Sequence, residues 1–189
     1  MPETASATEA KTLLARMAQG DRSALARLID LYGRGLQIYC ARALHQPNDA
    51  EDAAQEVFLK TWTAASRYDP TRAAVSTWLY RIAVNHCTDR NRRSRFRCFL
   101  GLDSAPGLLD ETPGTDRTVS ARQSLAAVRA AIATLPDRQR QALLLRVIAE
   151  MDTGTIAETL GTTSGSVEQL LVRARASLRH STGADFTLD

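Results

Sequence analysis

Six arginines (81, 90, 92, 93, 95 and 97) stand against one acid, Asp89, within residues 81–97, with Trp78, Tyr80 and Asn85 close by. Guanidinium groups bond phosphate in a bidentate way, aromatic rings stack on bases, and an amide can bond a base edge. Together these are the groups that hold a separated nucleic-acid strand. Extruding a base costs roughly a few kcal/mol, which such a site has to recover. Val75, Trp78, Leu79 and Ile82, however, recur at i, i+3, i+4 and i+7, the spacing of a buried helix face. Trp78 taken alone is therefore core, whereas Tyr80 and Arg81 lie off that face.

A second cluster is acidic. Asp49, Asp52 and Glu56 fall at i, i+3 and i+7 beside Ala50, Ala53, Val57 and Thr61, making a stripe that is either a solvated face or a dock for a basic protein surface. A third lies near the C-terminus. A helix ending at Leu160-Gly161, the turn "TTS" and a helix beginning "GSVEQLLVRARASLR" have the layout of a helix-turn-helix. Val167, Leu171, Ala174 and Leu178 share one face, so Glu168, Gln169, Val172, Arg173 and Ala176 point outward, where a groove would be read. Thr163 is placed to cap this helix, and its hydroxyl or the first amides can meet a phosphate. A hairpin that merely packs is the competing reading. Arg173, Arg175 and Arg179 favour DNA, and Glu168 opposes it.

No Gly-rich phosphate loop and no nucleophile, acid-base or metal set stands out, so an enzyme is not expected, nor a cofactor. Cys40, Cys87 and Cys98 have no CxxC spacing and read as reduced, mostly buried thiols rather than as a metal or redox centre with His86.

The elements that position these groups are helical throughout, since apolar residues recur three and four apart. The 189 residues, 44% apolar, suffice for packed cores. Helices are expected over 8–19, from a cap at Asp21 to about His45, from Asn48 or Asp49 to about Ser66, and from Val75 into the arginines. Gly33 and Gly35 leave open whether the second is one piece. Periodicity fails over 98–118, where residues 103–116 carry four acids and no base, the pattern of a flexible acidic linker. Helices follow at 121–135, from Pro136 to Ala149, at 155–160 and at 164–180. The fold class is all-α: two small helical domains, 1–97 and 119–183, then a tail at 184–189. The first residues lack a basic and apolar leader, and no apolar run spans a bilayer. A cytoplasmic protein with no membrane insertion is expected.

The segments "DAEDAAQEVFLKTW", "STWLYRIAVNHCTDRNRR", "LPDRQRQALLLRVIAEMDTGTIAETLG" and "GSVEQLLVRARASLR" resemble, in order and spacing, the extracytoplasmic-function (ECF) sigma factors of the sigma-70 class. With a weaker match over 10–45 they cover nearly the whole chain outside linker and tails. The resemblance implies promoter recognition and transcription initiation with bacterial core RNA polymerase, and an anti-sigma partner. It implies that residues 49–62, among them Asp49, Asp52, Gln55, Glu56 and Phe58, dock the clamp helices of the largest polymerase subunit. Asn85 would help capture a flipped base of the minus-ten element, with Trp78, Arg81, Arg90, Arg92 and Arg93 in the same strand-opening region. The linker would thread toward the active-site and RNA-exit channels. The minus-thirty-five element would fall to Arg146, Thr163, Ser166, Glu168, Gln169, Val172 and Arg173. Where the family usually carries basic and hydroxyl residues, this helix has Glu168, Gln169, Leu170, Leu171 and Val172. Either Glu168 accepts from cytosine and Gln169 pairs with adenine, or the domain serves mainly core or anti-sigma contacts. The alternatives outside the family are an autonomous duplex-binding regulator, with its N-terminal half dimerising or sensing redox through Cys87 and Cys98, and a helical adaptor that binds only protein.

Overall fold

The computed structural model describes residues 2–100 and 117–182; of the linker expected over 98–118, residues 98–99 belong to the helix before it and 117–118 to the helix after it, while 101–116 and the tail lie outside the described residues. Helix α1, Pro2–Ala18, is followed by α2, Arg22–Ala43. Between them Gly20 sits at φ +86° and Asp21 caps α2, accepting from the Ser23 amide at 2.9 Å. A 3-10 turn, Pro47–Asp49, leads into α3, Ala50–Ala64, and a second one, Ala65–Arg67, follows it. Helix α4, Val75–Phe99, has 25 residues and is about 37 Å long. The remaining helices are α5, Arg117–Thr134; α6, Asp137–Ile148; α7, Thr153–Leu160; and α8, Ser164–Thr182. No strand occurs among the described residues.

Helix α2 runs unbroken through both of its glycines. At Gly35 the reason is close approach: a Cβ there would come 2.8 Å from the Tyr80 hydroxyl. Tyr80 is buried and meets Tyr39 edge to face, with centroids 5.6 Å apart, which restricts its ring. Alanine would gain about 1 kcal/mol of helix propensity, but overpacking costs about 1–3 kcal/mol. Gly35→Ala is expected to lower the urea midpoint, and an unchanged or raised midpoint would show that α4 can shift away.

In the N-terminal half, Leu13, Leu14 and Met17 of α1 pack on Ala24 and Leu28 of α2, while Leu36, Tyr39 and Cys40 meet Ala53 and Val57 of α3 and Leu79 and Ala83 of α4. In the C-terminal half, Asp152 caps α7 by accepting from the Thr155 amide at 2.8 Å, and Gly161 ends it at φ +61°. Thr163 Oγ1 accepts from the Ser166 amide at 3.3 Å, the cap read from the sequence. Val167, Leu171, Ala174 and Leu178 are buried, so α7 and α8 form the helix-turn-helix.

The two halves are docked on each other. Residues 140–145 of α6 are all buried. At 100° per residue, six consecutive positions go all the way round a helix, so α6 needs cover on every side. Leu143 packs with Ala131, Leu135, Ala174 and Leu178, whereas Ala142, Leu144 and Leu145 join the core that contains Leu36, Tyr39 and Leu79. Ile156, Ala157 and Leu160 of α7 enter that same core.

Candidate nucleic-acid and polymerase interfaces

Helix α4 presents its functional side chains on two faces. Trp78, Arg81, Asn85 and Arg92 follow one another at helical spacing along the first. Trp78 is half-buried and packs on Tyr68, with ring centroids 5.3 Å apart. Arg81 Nη2 donates to the Glu158 carbonyl of α7 at 2.7 Å. Asn85 and Arg92 are exposed, and Arg92 pairs with Asp89 at 3.1 Å. The C-terminal half lies along this face: Gln141 Nε2 donates to Thr88 Oγ1 at 2.8 Å, and Arg95 pairs with Asp137.

The second face carries His86, Arg90 and Arg93, which with Asp49, Glu56 and Lys60 line a cleft of about 360 Å³ between α3 and α4. Arg90 Nη2 lies 3.0 Å from Asp49, and Nη1 lies 3.4 Å from Glu56. Arg90 and Arg93 are thus turned away from Asn85, and Arg90 neutralises two acids of the α3 stripe. Asp52 and Gln55 stay exposed. Phe58 departs from the expectation: it is 5% exposed, facing the core beside Val57, and cannot touch a partner without unfolding α3. Tyr80, read as lying off the core face, is also buried and so offers no ring to a base.

On α8, Ser166, Glu168, Gln169, Val172 and Arg173 are all exposed, giving the outward face that the periodicity predicts. Arg146 is half-buried and spends Nη1 on the Met151 carbonyl at 3.2 Å, pinning the α6–α7 turn where Glu150 adopts φ +52°.

The junction of the halves holds a cluster that the sequence reading missed. Arg140, only 2% exposed, donates to Asp137 Oδ1 at 2.5 Å and to the Ala133 carbonyl at 3.1 Å, and its Nη2 is 3.4 Å from His45 Nε2. Burial would raise the Asp137 carboxyl, but Arg140 and Arg95 together outweigh it and hold the group below the usual carboxylate range. His45 is lowered, by burial first and Arg140 next, with Asp137 opposing. His86 is lowered too, by burial and then by Lys60, whose ammonium is 2.7 Å from Nδ1.

Both imidazoles therefore favour the neutral form when folded. Between their folded values and the ordinary 6.5, the unfolded chain binds more protons. Stability is thus full above about pH 6.5 and falls as pH drops through 6.5 toward the folded values. Urea midpoints at pH 7.5 and 5.5 are expected to show this fall. His45→Gln should flatten it, and an unflattened curve would remove His45 as a contributor.

An all-helical chain with a helix-turn-helix at one end and an arginine- and amide-bearing helix at the other is a two-domain nucleic-acid-binding protein. The description "Sigma-70 region 2" matches residues 28–97 and "Sigma-70, region 4" matches 125–178. The chain is 32% identical over 183 residues to RNA polymerase sigma factor CnrH of Cupriavidus metallidurans, covering 93% of this chain and 95% of CnrH. It is 31% identical to ECF RNA polymerase sigma factor SigW of Bacillus subtilis (89% and 94% covered) and 38% identical to SigM of Mycobacterium tuberculosis (90% and 83%). The structure of CnrH in complex with the cytosolic domain of CnrY superposes with a TM-score of 0.69 at 27% identity, covering 94% of this chain and 99% of that one. The sigma factor RpoE of Bartonella quintana, solved with the anti-sigma factor NepR, shares the fold at TM-score 0.71 and 19% identity, covering 85% and 98%. The chain belongs to the ECF sigma factors of the sigma-70 class, non-enzymatic initiation factors that act with core RNA polymerase on promoter DNA.

Proposed function

We propose that this sigma factor divides its work among three exposed surfaces. Asp52 and Gln55 of α3, flanked by Asp49 and Glu56, dock the clamp helices of the largest polymerase subunit. Asn85, with Arg81 and Arg92 on the same face of α4, holds the separated minus-ten strand. Glu168, Gln169, Val172 and Arg173 of α8 read the minus-thirty-five element. The observation that carries this reading is the alignment of Arg81, Asn85 and Arg92 on one face of α4, while α8 keeps its outward face exposed. Arg90 belongs to the polymerase-facing cleft, and Arg146 supports the turn rather than a phosphate. Asn85 and Arg92 are open beside the docked C-terminal half, whereas Arg81 is held by the Glu158 carbonyl, so its guanidinium is freed for the minus-ten strand only when the halves part. An anti-sigma protein in the cytoplasm is the expected regulator, in keeping with the protein-bound state in which CnrH was solved.

The test is binding of the purified chain to bacterial core RNA polymerase at fixed salt, followed by transcription from the promoter upstream of its own gene. Tight binding with specific initiation supports the reading. Specific duplex binding with no polymerase association would replace it with an autonomous regulator. Arg173→Ala is expected to weaken the footprint over the upstream element by about 5-fold or more, and an unchanged footprint would shift α8 to protein contacts.

A further inference from the structure

Cys40 of α2 and Cys87 of α4 meet in the core, 0% and 1% exposed, with their sulfurs 3.9 Å apart and the Cys87 thiol directed at Cys40. They are 47 residues apart in the chain. Cys98 is exposed on the same helix as Cys87, about 16 Å further along it. A Cys87–Cys98 pair is therefore ruled out by geometry, and Cys40 is the thiol within reach.

We infer that Cys40 and Cys87 form an oxidisable dithiol, which hydrogen peroxide converts into a disulfide stapling α2 to α4. Going from 3.9 Å to a bond of about 2.05 Å moves each sulfur by about 0.9 Å. The two thiols are unequal. The hydrogen bond from Cys87 holds Cys40 below its ordinary value, with Arg90 assisting against burial, while the same bond and then burial push Cys87 up. Both sulfurs are buried, so peroxide meets them only when the core opens locally, and Cys40 is then the first nucleophile.

The Cys40 thiol gives up its proton and the resulting thiolate sulfur attacks one peroxide oxygen. An S–O bond forms, the O–O bond breaks, and the departing hydroxide combines with the proton the thiol released and leaves as water. The Cys87 sulfur then attacks the sulfenic sulfur of Cys40. The S–S bond forms as the S–O bond breaks, and the hydroxide released carries off the Cys87 proton as a second water. Two thiols and one peroxide give one disulfide and two waters. The sulfurs are oxidised and the peroxide oxygens reduced.

The staple would lie one residue from Thr88, which receives Gln141 from α6, and two from Asn85. Oxidation would therefore tie the middle of α4 to α2 directly beneath the docked C-terminal half. The chemistry itself does not depend on the role assigned to Asn85.

The experiment uses the full chain carrying Cys98→Ser, which removes the exposed thiol without touching the core. After treatment with hydrogen peroxide, the chain is unfolded in an alkylating reagent, digested without reductant and mapped by mass spectrometry. The expected result is loss of both alkylatable thiols. A peptide linking 40 and 87, lighter by two hydrogens than its parts, should appear and should disappear with dithiothreitol. The oxidised chain should also need more urea to unfold than the reduced one. Recovery of both cysteines alkylated, sulfinic acid on one of them without the linked peptide, or links only between chains would each overturn the inference.

Discussion

Arg140→Ala is expected to cost about 3 kcal/mol in urea unfolding, the low end for breaking a buried ion pair. The low end applies because Asp137 keeps 26% of its side chain in water and still has Arg95. Removal of the guanidinium takes a charged donor from Asp137 and a donor from the Ala133 carbonyl, and it opens a cavity where a side chain is 2% exposed. Arg140→Met takes the same donor from Asp137 but largely fills the volume, so it should cost less than alanine by the part of the loss that comes from the cavity. The ordering, with alanine well below methionine, is the diagnostic outcome. Equal losses for the two variants would mean that the charge itself matters, not the packing. A loss under 1 kcal/mol for alanine would mean that water takes over the guanidinium's bonds.

Asn85→Ala is expected to reduce transcription from the cognate promoter by about 10-fold or more while leaving core binding intact. A good two-point contact to a base edge is worth about 1–3 kcal/mol, which brackets that figure. Asn85 is exposed, so the fold should not change, and a urea curve matching the parent separates loss of function from loss of structure. The step affected should be strand opening, read by reactivity of unpaired thymines around the start site. Undiminished opening would remove Asn85 from the site and leave Arg81 and Arg92 to account for it.

Helix positions and the helix-turn-helix were legible because their signals are local. Asp21, Thr163 and Gly161 sit at helix ends where their own chemistry places them, and the apolar residues of α8 repeat on one face; α7, by contrast, begins at Thr153 under an Asp152 cap, two residues before the expected start. The acidic stripe was legible for the same reason, but Phe58 was not. It follows Val57, and two adjacent apolar residues on a half-buried helix can both turn inward, which the family motif does not reveal. The division of the arginines between two faces of α4 was in principle readable from the 100° step between residues, since Asn85 and Arg90 are 500° apart. Grouping them by sequence proximity concealed it. The junction cluster was out of reach for a different reason: His45 and Arg140 are 95 residues apart and nothing in either segment names the other. The one local hint was the apolar run Ala142, Leu143, Leu144 and Leu145, because four consecutive apolar residues face most of the way round a helix and need neighbours on more than one side.

The docking of the C-terminal half also has a bearing on the order in which DNA is met. A ligand that needs the Arg81 guanidinium, which the Glu158 carbonyl holds at 2.7 Å, binds only the undocked fraction, so its apparent dissociation constant rises in inverse proportion to that fraction. If one chain in about a hundred is undocked, binding that depends on this guanidinium is about a hundredfold weaker than its contacts alone would allow. The outward face of α8 is open in either state and is not weakened. Left to itself, the protein would sample upstream duplex before single strand, and polymerase that favours the parted form would lift the penalty on the second contact alone.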